Sequence, residues 1–318
     1  MAATVGNGTT GFLLLGLVYS VRERHVIIPL QVIILLVGLL ANITIVAIVF
    51  SKDALKNPKN MLICHLCIAD ICGLLTFSPY FIVRFSLAST ELLTLKWCLI
   101  QYYFLNVFNA IETWMITFMA IDRFVVICYP FDYQMWVSNE RINAFVCVCW
   151  ATALIYPMIY TFPFAGQESC YLVVSYSFLC TGASLEASVC SPSISTFPKM
   201  YRLFMLAVHL LFPLLIIALS YAKIFRESQN ARLSESSKKA MNTVATHGMV
   251  LFVFFLTAYI LFITGSLETT DPSKVTFITL IRLAADLLYL NFPPTVNPII
   301  YGLRNEDMKK ELLSLFKR

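Results

Sequence analysis

Charge is scarce in this sequence. Asp, Glu, Lys and Arg make up only 13% of its 318 residues, while 59% are hydrophobic. Soluble domains carry roughly a quarter charged residues, and a soluble chain this apolar lacks the polar groups to cover its own surface. Disorder is excluded from the opposite side, because aromatic residues reach 14%, with 25 Phe and 15 Tyr, whereas disordered chains are poor in them. There is no internal repeat, no low-complexity segment and no sign of an appended soluble domain. The first twenty-five residues hold no cationic stretch ahead of an apolar core, so a cleaved signal peptide is not expected. No constellation of catalytic residues is visible, and an enzyme is not expected. The remaining class is an all-α polytopic membrane protein.

A spanning helix needs about 20 mostly apolar residues. Seven stretches qualify: 26–50, 61–83, 99–121, 142–164, 203–222, 248–267 and 275–301. The predicted organisation is an N-terminal segment (1–25), a seven-transmembrane helix bundle (26–304) and a short amphipathic C-terminal helix (305–318). Seven spans place the two termini on opposite sides. The loops after spans one, three and five, together with the tail, hold 15 Lys and Arg against 7 in the remaining segments, with Arg282 inside span seven. Basic residues collect on the cytosolic side, so the N-terminus is expected outside and the tail in the cytosol. The net charge of +5 then reflects topology and acidic lipids rather than nucleic acid.

On the outer side, Asn7-Gly8-Thr9 is a glycosylation acceptor triplet. The longest loop, 165–202, holds Cys170, Cys180 and Cys190, and Cys98 opens span three on the same face. Four cysteines in an oxidising compartment permit three pairings, among which spacing does not choose.

Polar residues inside a bilayer are costly and need a reason. Counted from the cytosolic ends at about 1.5 Å per residue, Asn42, Asp70, Glu112 and Asn297 all lie roughly 10 to 17 Å deep. Four polar groups at one depth on four helices suggest one cluster. Two carboxylates there cannot both ionise without a cation between them. A hard cation held by oxygen ligands is one reading, and a proton-sharing packing cluster is the other. In the outer half, Arg282, Asp286 and Tyr289 share one face of span seven, and the first two are spaced to pair. With Asn106 and Asn109 in span three, His209 in span five, and Phe255, Tyr259 and Phe262 in span six, they could line an apolar cavity with a few polar anchors.

Several strings then resemble one family. "MAIDRFVVICYPFDY" (Met119 to Tyr133), "KAMNTVATH" (Lys239 to His247), "PTVNPIIYGLRN" (Pro294 to Asn305), "GFLLLGL" ahead of span one and "SYAKI" (Ser220 to Ile224) resemble signatures of the odorant receptors, a branch of the rhodopsin-like class A receptors coupled to G proteins. Asp70, Trp150 and Pro213 sit where the wider class has its span landmarks, and the resemblance covers essentially the whole chain. Ile121 and Phe124 stand where the family has Tyr on either side of the Asp-Arg pair, and Val244 where it has Cys, which marks a divergent member.

The resemblance implies disulfides Cys98–Cys180 and Cys170–Cys190, and a sodium site at Asp70 and Glu112. It implies no other cofactor. Asp122, Arg123, Tyr221, His247, Asn297 and Tyr301 match the groups that switch when the cytosolic face opens to a stimulatory heterotrimeric G protein. No acid lies near Lys238 and Lys239 to hold Arg123 across the bundle, so restraint must come from Asp122, local packing or His247. The implied function is plasma-membrane reception of a small-molecule odorant with cAMP signalling. Leu105 and Asn106 stand where amine receptors carry an aspartate, and span seven has no Lys for a retinal Schiff base, so aminergic and opsin roles are not expected. A class A receptor for a metabolite or lipid is the alternative. A transporter or channel would show matched broken half-repeats, which the chain lacks.

Overall fold

The computed structural model describes residues 2–3, 10–14, 21–87, 92–175, 177–190, 192–230, 248, 252–261, 263–264 and 272–315. Asn7, Lys238, Lys239, His247 and Phe262 lie outside them.

The bundle begins with α1 (Val21–Ser51), a helix with no continuous polar stripe. Its Leu36 and Leu40 point outward, and Asn42 points inward and is wholly buried. Such a helix can only be surrounded by lipid and protein, since hydrophobic side chains all round leave no face for water. Then follow α2 (Pro58–Ser86) and α3 (Leu95–Cys128). Asn57 caps α2 by accepting from the Asn60 amide at 3.0 Å, with Pro58 in the first turn where its missing N–H costs nothing. A one-turn helix, α4 (Tyr133–Trp136), leads into α5 (Asn139–Thr161), which Ser138 caps from its N-terminus.

Span five is interrupted. It runs as α7 (Pro192–Leu206), a π-helical turn over Ala207–Leu211, and α8 (Phe212–Asn230). Pro213 lacks an amide hydrogen, which fits a local change of hydrogen-bond register just ahead of it. Span six is described as α9, Phe252–Leu261. Then come α10 (Pro272–Arg304), with Pro293, Pro294 and Pro298 inside it, and the amphipathic α11 (Glu306–Leu315). Segments Glu23–Ser51, Pro58–Ser86, Asn139–Phe164 and Thr196–Glu227 are each long and apolar enough to cross a bilayer by themselves. The helices overrun the hydropathy windows because caps and first turns are polar and fall outside any apolar count.

The end of the bundle at which α2 finishes and α3 starts is closed by a lid with structure of its own, where the sequence shows only a long loop. Strand β3 (Leu172–Ser175) lies between β1 (Ala2–Ala3), antiparallel, and β2 (Gly11–Leu14), parallel. Helix α6 (Gly182–Ser188) follows, capped by Thr181. Gly11 takes φ +140, and a Cβ there would meet the Leu93 carbonyl at 3.0 Å, so a close backbone crossing requires glycine. Disulfides join Cys98 to Cys180 and Cys170 to Cys190, the pairing that the family resemblance implies. The lid sits on a cluster of fully buried Phe12, Phe81, Phe85, Phe164 and Phe178, in which the Phe81 ring is 4.7 Å from Phe178 and 4.9 Å from Phe85.

At the opposite end, α11 turns back under the bundle. Met308 is fully buried and Leu312 packs on the core, while Lys309 and Lys310 stay exposed. Gly302 permits this approach, because a Cβ there would lie 2.9 Å from Leu312. Asn305 donates to Asn60 at 2.7 Å, and Asn60 donates to the Leu55 carbonyl at 2.9 Å, so α11, α2 and the first inner loop are held as one unit.

Candidate functional site

Below the lid lies a cavity of about 310 Å³, within the size class of small-molecule sites. Its walls come from α3, α5, α7, the π turn, α9 and α10, and its roof from residues 177 and 179–183 of the lid. Six residues expected from the sequence line it: Asn106, Asn109, His209, Arg282, Asp286 and Tyr289.

Two expectations for span six are corrected. Phe255 and Tyr259 do not line the cavity. Phe255 is buried in the bundle core, and Tyr259 points outward with 57% of its surface exposed. The lining residues of this helix are Phe254, Ala258 and Leu261, the same spacing shifted by one residue, or roughly 100° around the helix. The Phe254 ring stacks on Tyr289 at 5.0 Å and fixes that rotation. Apart from Thr257 every residue in this stretch is apolar or aromatic, so periodicity carries little marker of which face turns inward.

The expected Arg282–Asp286 pair does not close to a direct ion pair, although the two charges still act on each other. The ion pairs among the described residues join other partners. Asp286 Oδ2 accepts from the Ser177 hydroxyl at 2.5 Å, which ties the lid to α10. Arg282 donates from Nη1 to the Thr264 carbonyl at 3.3 Å, and its Nε is buried with no partner. A residue 109 positions away competes for Asp286, a contact no local spacing rule can anticipate.

His209 lies on the π turn, which carries it toward α3. Trp114 Nε1 donates to His209 Nδ1 at 3.1 Å, and the Tyr156 ring stacks on the imidazole at 4.4 Å. With Nδ1 accepting, Nε2 carries the hydrogen of the neutral ring. Asn106 is more committed than expected, since its Nδ2 donates to the Tyr102 carbonyl at 2.7 Å and its own carbonyl accepts from Tyr156 at 2.8 Å.

Among the polar lining residues that escape the sequence reading are Tyr156, Tyr160, Thr181 and Arg202. Arg202 grips Glu186 of the lid with Nε and Nη2 at 2.8 and 3.1 Å. The single hydroxyl hydrogen of Tyr160 is shared between Glu186 at 3.1 Å and the Gly182 carbonyl at 2.9 Å. Glu186 stands four residues ahead of Cys190 as a lone acid in an otherwise uncharged stretch of the lid, which is the signal available beforehand.

Deeper in the bundle, Asn42, Asp70, Glu112 and Asn297 are all buried. Asn42 donates to the carbonyls of Gly38 at 2.9 Å and Pro294 at 2.7 Å, so its amide bonds backbone on α1 and α10. The carboxylates of Asp70 and Glu112 interact across α2 and α3. Asp70 Oδ2, Glu112 Oε1 and Asn297 Nδ2 have no hydrogen-bond partner. Two unsatisfied carboxylate oxygens buried side by side are oxygen donors of the kind a hard cation takes, and a shared proton would satisfy them as well.

At the inner end, Arg123 pairs with Asp122 at 3.2 Å. Asp122 also accepts from the Tyr133 hydroxyl at 2.8 Å. Burial and the Asp122 charge push the Tyr133 phenol well above its usual range, so it remains a donor at neutral pH. Among the described residues the restraint formed on Arg123 is Asp122, which Tyr133 on α4 steadies. Tyr221 packs against the core and Tyr301 lies within it.

A family described as 7 transmembrane receptor (rhodopsin family) matches residues 41–301. Among similar proteins, the olfactory receptor-like protein OLF4 of Canis lupus familiaris is 27% identical over 308 residues, covering 96% of each chain. Olfactory receptor 7D2 of Homo sapiens is 28% identical over 318 residues, which is 100% of this chain and 98% of that one. Olfactory receptor 1P1 of Homo sapiens is 27% identical over 314 residues, covering 98% and 92%.

Proposed function

Because the chain belongs to the rhodopsin family of seven-transmembrane receptors, and is similar to olfactory receptors over nearly its full length, we propose that it binds a small-molecule odorant under the lid and activates a stimulatory G protein. The single observation that carries this reading is the roofed, mostly apolar cavity with a few polar anchors, at the opposite end of the bundle from Arg123. As a multi-pass membrane protein of this family it is a receptor and not an enzyme. The excess of Lys and Arg in alternate segments supports an outer N-terminus and lid, with the tail in the cytosol.

Ligand binding does work on this bundle only through a difference in affinity between two states. The cavity touches α7, the π turn, α9 and α10, and in all of these but α9 a proline or the π turn itself weakens backbone hydrogen bonding. A ligand that draws these walls inward tilts their inner ends. The resting state is held by Asp122 on Arg123. Release of that pair frees the guanidinium for a G protein, a switch in which Tyr221, His247, Asn297 and Tyr301 are proposed to take part.

Sodium is the cation that the deep carboxylates would hold. Asp70 and Glu112 supply its oxygens, and Asn42 and Asn297 complete the polar surroundings. The bound ion neutralises charge that helices would otherwise bury unpaired. Asn7 is proposed as an outer glycosylation site.

The coupling face is tested by Arg123→Ala, with cAMP response and surface labelling measured together. Expected is loss of response at unchanged surface level. Full signalling at matched surface level overturns the assignment.

A further inference from the structure

We infer that the cavity is built for a small organic carboxylate whose anionic head is bound by Arg282. This rests on the receptor reading and names the ligand class of that same cavity.

The cavity's wall and lid hold two guanidinium groups, Arg202 and Arg282, and two carboxylates, Glu186 and Asp286. Three of the four are committed to protein partners. Glu186 receives two N–H groups of Arg202 and the hydroxyl of Tyr160. Arg202 is correspondingly engaged. Asp286 receives the Ser177 hydroxyl at 2.5 Å. A cationic ligand therefore finds no acid that is not already bonded.

Arg282 is the least committed of the four, although the Asp286 charge one turn away acts on it. It is 94% buried, lines the cavity, makes one bond to a backbone carbonyl at 3.3 Å, and leaves Nε without any partner. A guanidinium has five N–H donors, remains charged under all ordinary conditions and matches a carboxylate with two parallel bonds. A buried cation with idle donors is costly when nothing arrives to satisfy it, and a carboxylate entering the cavity supplies what the fold leaves out. The rest of the ligand then lies among Leu105, Leu206, Leu210, Phe254, Ala258 and Leu261. That wall suits an alkyl or aryl body. The Nε2–H of His209 offers a donor to a second oxygen farther along.

The test uses the full-length receptor and matched probes: hexanoic, octanoic, benzoic and phenylacetic acids, each beside its methyl ester, primary alcohol and primary amine. Two readouts are taken, thermal stabilisation of the detergent-purified receptor and cAMP response in cells at matched surface labelling. Expected is stabilisation by one or more of the acids and by none of their esters or amines. Arg282→Gln should weaken that acid's effect by roughly tenfold to a hundredfold, the worth of a charge-assisted hydrogen bond, and Arg282→Lys should recover part of it. Should Arg282→Gln fail to reach the surface, the Lys variant together with the acid-against-ester comparison on wild type decides the matter. The inference is overturned if no acid stabilises the receptor, if esters match their acids, or if amines are preferred. Signalling by neutral probes alone would leave the receptor reading standing and remove the carboxylate. Stabilisation by acids without any cAMP response would do the reverse.

Discussion

Removal of Glu186 separates two roles for the charges beneath the lid. Its carboxylate accepts from Arg202 at 2.8 and 3.1 Å and from Tyr160 at 3.1 Å. The side chains of Glu186 and Arg202 are 11% and 24% exposed. The pair is neither a surface bridge, worth about 0 to 1 kcal/mol, nor fully buried, where loss of one partner costs about 3 to 5 kcal/mol. Two charge-assisted bonds discounted for partial exposure place Glu186→Gln at about 2 kcal/mol of destabilisation. Tyr160 retains its bond to the Gly182 carbonyl at 2.9 Å, so its own contribution should largely survive. Arg202→Met should cost a similar amount, because it strands Glu186. The double variant Glu186→Gln/Arg202→Met removes both charges at once and should sit within about 1 kcal/mol of wild type, since it leaves no charge unpaired. Thermal unfolding of detergent-purified protein across this cycle gives the coupling energy. Additivity within about 0.5 kcal/mol would show that the two side chains do not act as a unit and would refute the reasoning.

The two disulfides should differ in weight. They close 82 and 20 residues, worth about 4.5 and about 3.3 kcal/mol on the chain-entropy relation. Cys98→Ser also frees the lid from α3, so it should abolish surface labelling, with Cys170→Ser losing less. If sodium occupies the site at Asp70 and Glu112, raising its concentration should lower agonist potency in membranes, and Glu112→Gln should remove that dependence. Equal potency with and without sodium would favour a purely hydrogen-bonded cluster. On α9, Ala258→Phe should reduce agonist potency by filling the cavity, whereas Tyr259→Ala should leave it near wild type because that ring faces outward. A large potency shift for Tyr259→Ala alone would restore the face read from sequence.

The bundle itself is legible in the amino-acid sequence. Seven apolar stretches of spanning length, a biased distribution of Lys and Arg, and buried polar residues at matched depth follow from one solvent rule. Nothing polar enters a bilayer without a reason. That rule also marks Asn106, Asn109, His209, Arg282, Asp286 and Tyr289, all of which line the cavity, because each is conspicuous in an apolar run. The same rule is silent where every candidate is apolar. In α9 it gives no ground to choose Phe254 over Phe255, and the stack of Phe254 on Tyr289 decides it from another helix. Nor can it find partners. Ser177 reaches Asp286 and Arg202 reaches Glu186 because a folded lid lays distant chain over the bundle. Hydropathy sees that lid only as a polar gap between spans. Sequence therefore determines which residues must be inside, through the cost of exposing or burying them one at a time. Which of those residues meet, and hence which charge is left for a ligand, depends on contacts between segments far apart in the chain, and only the tertiary structure decides it.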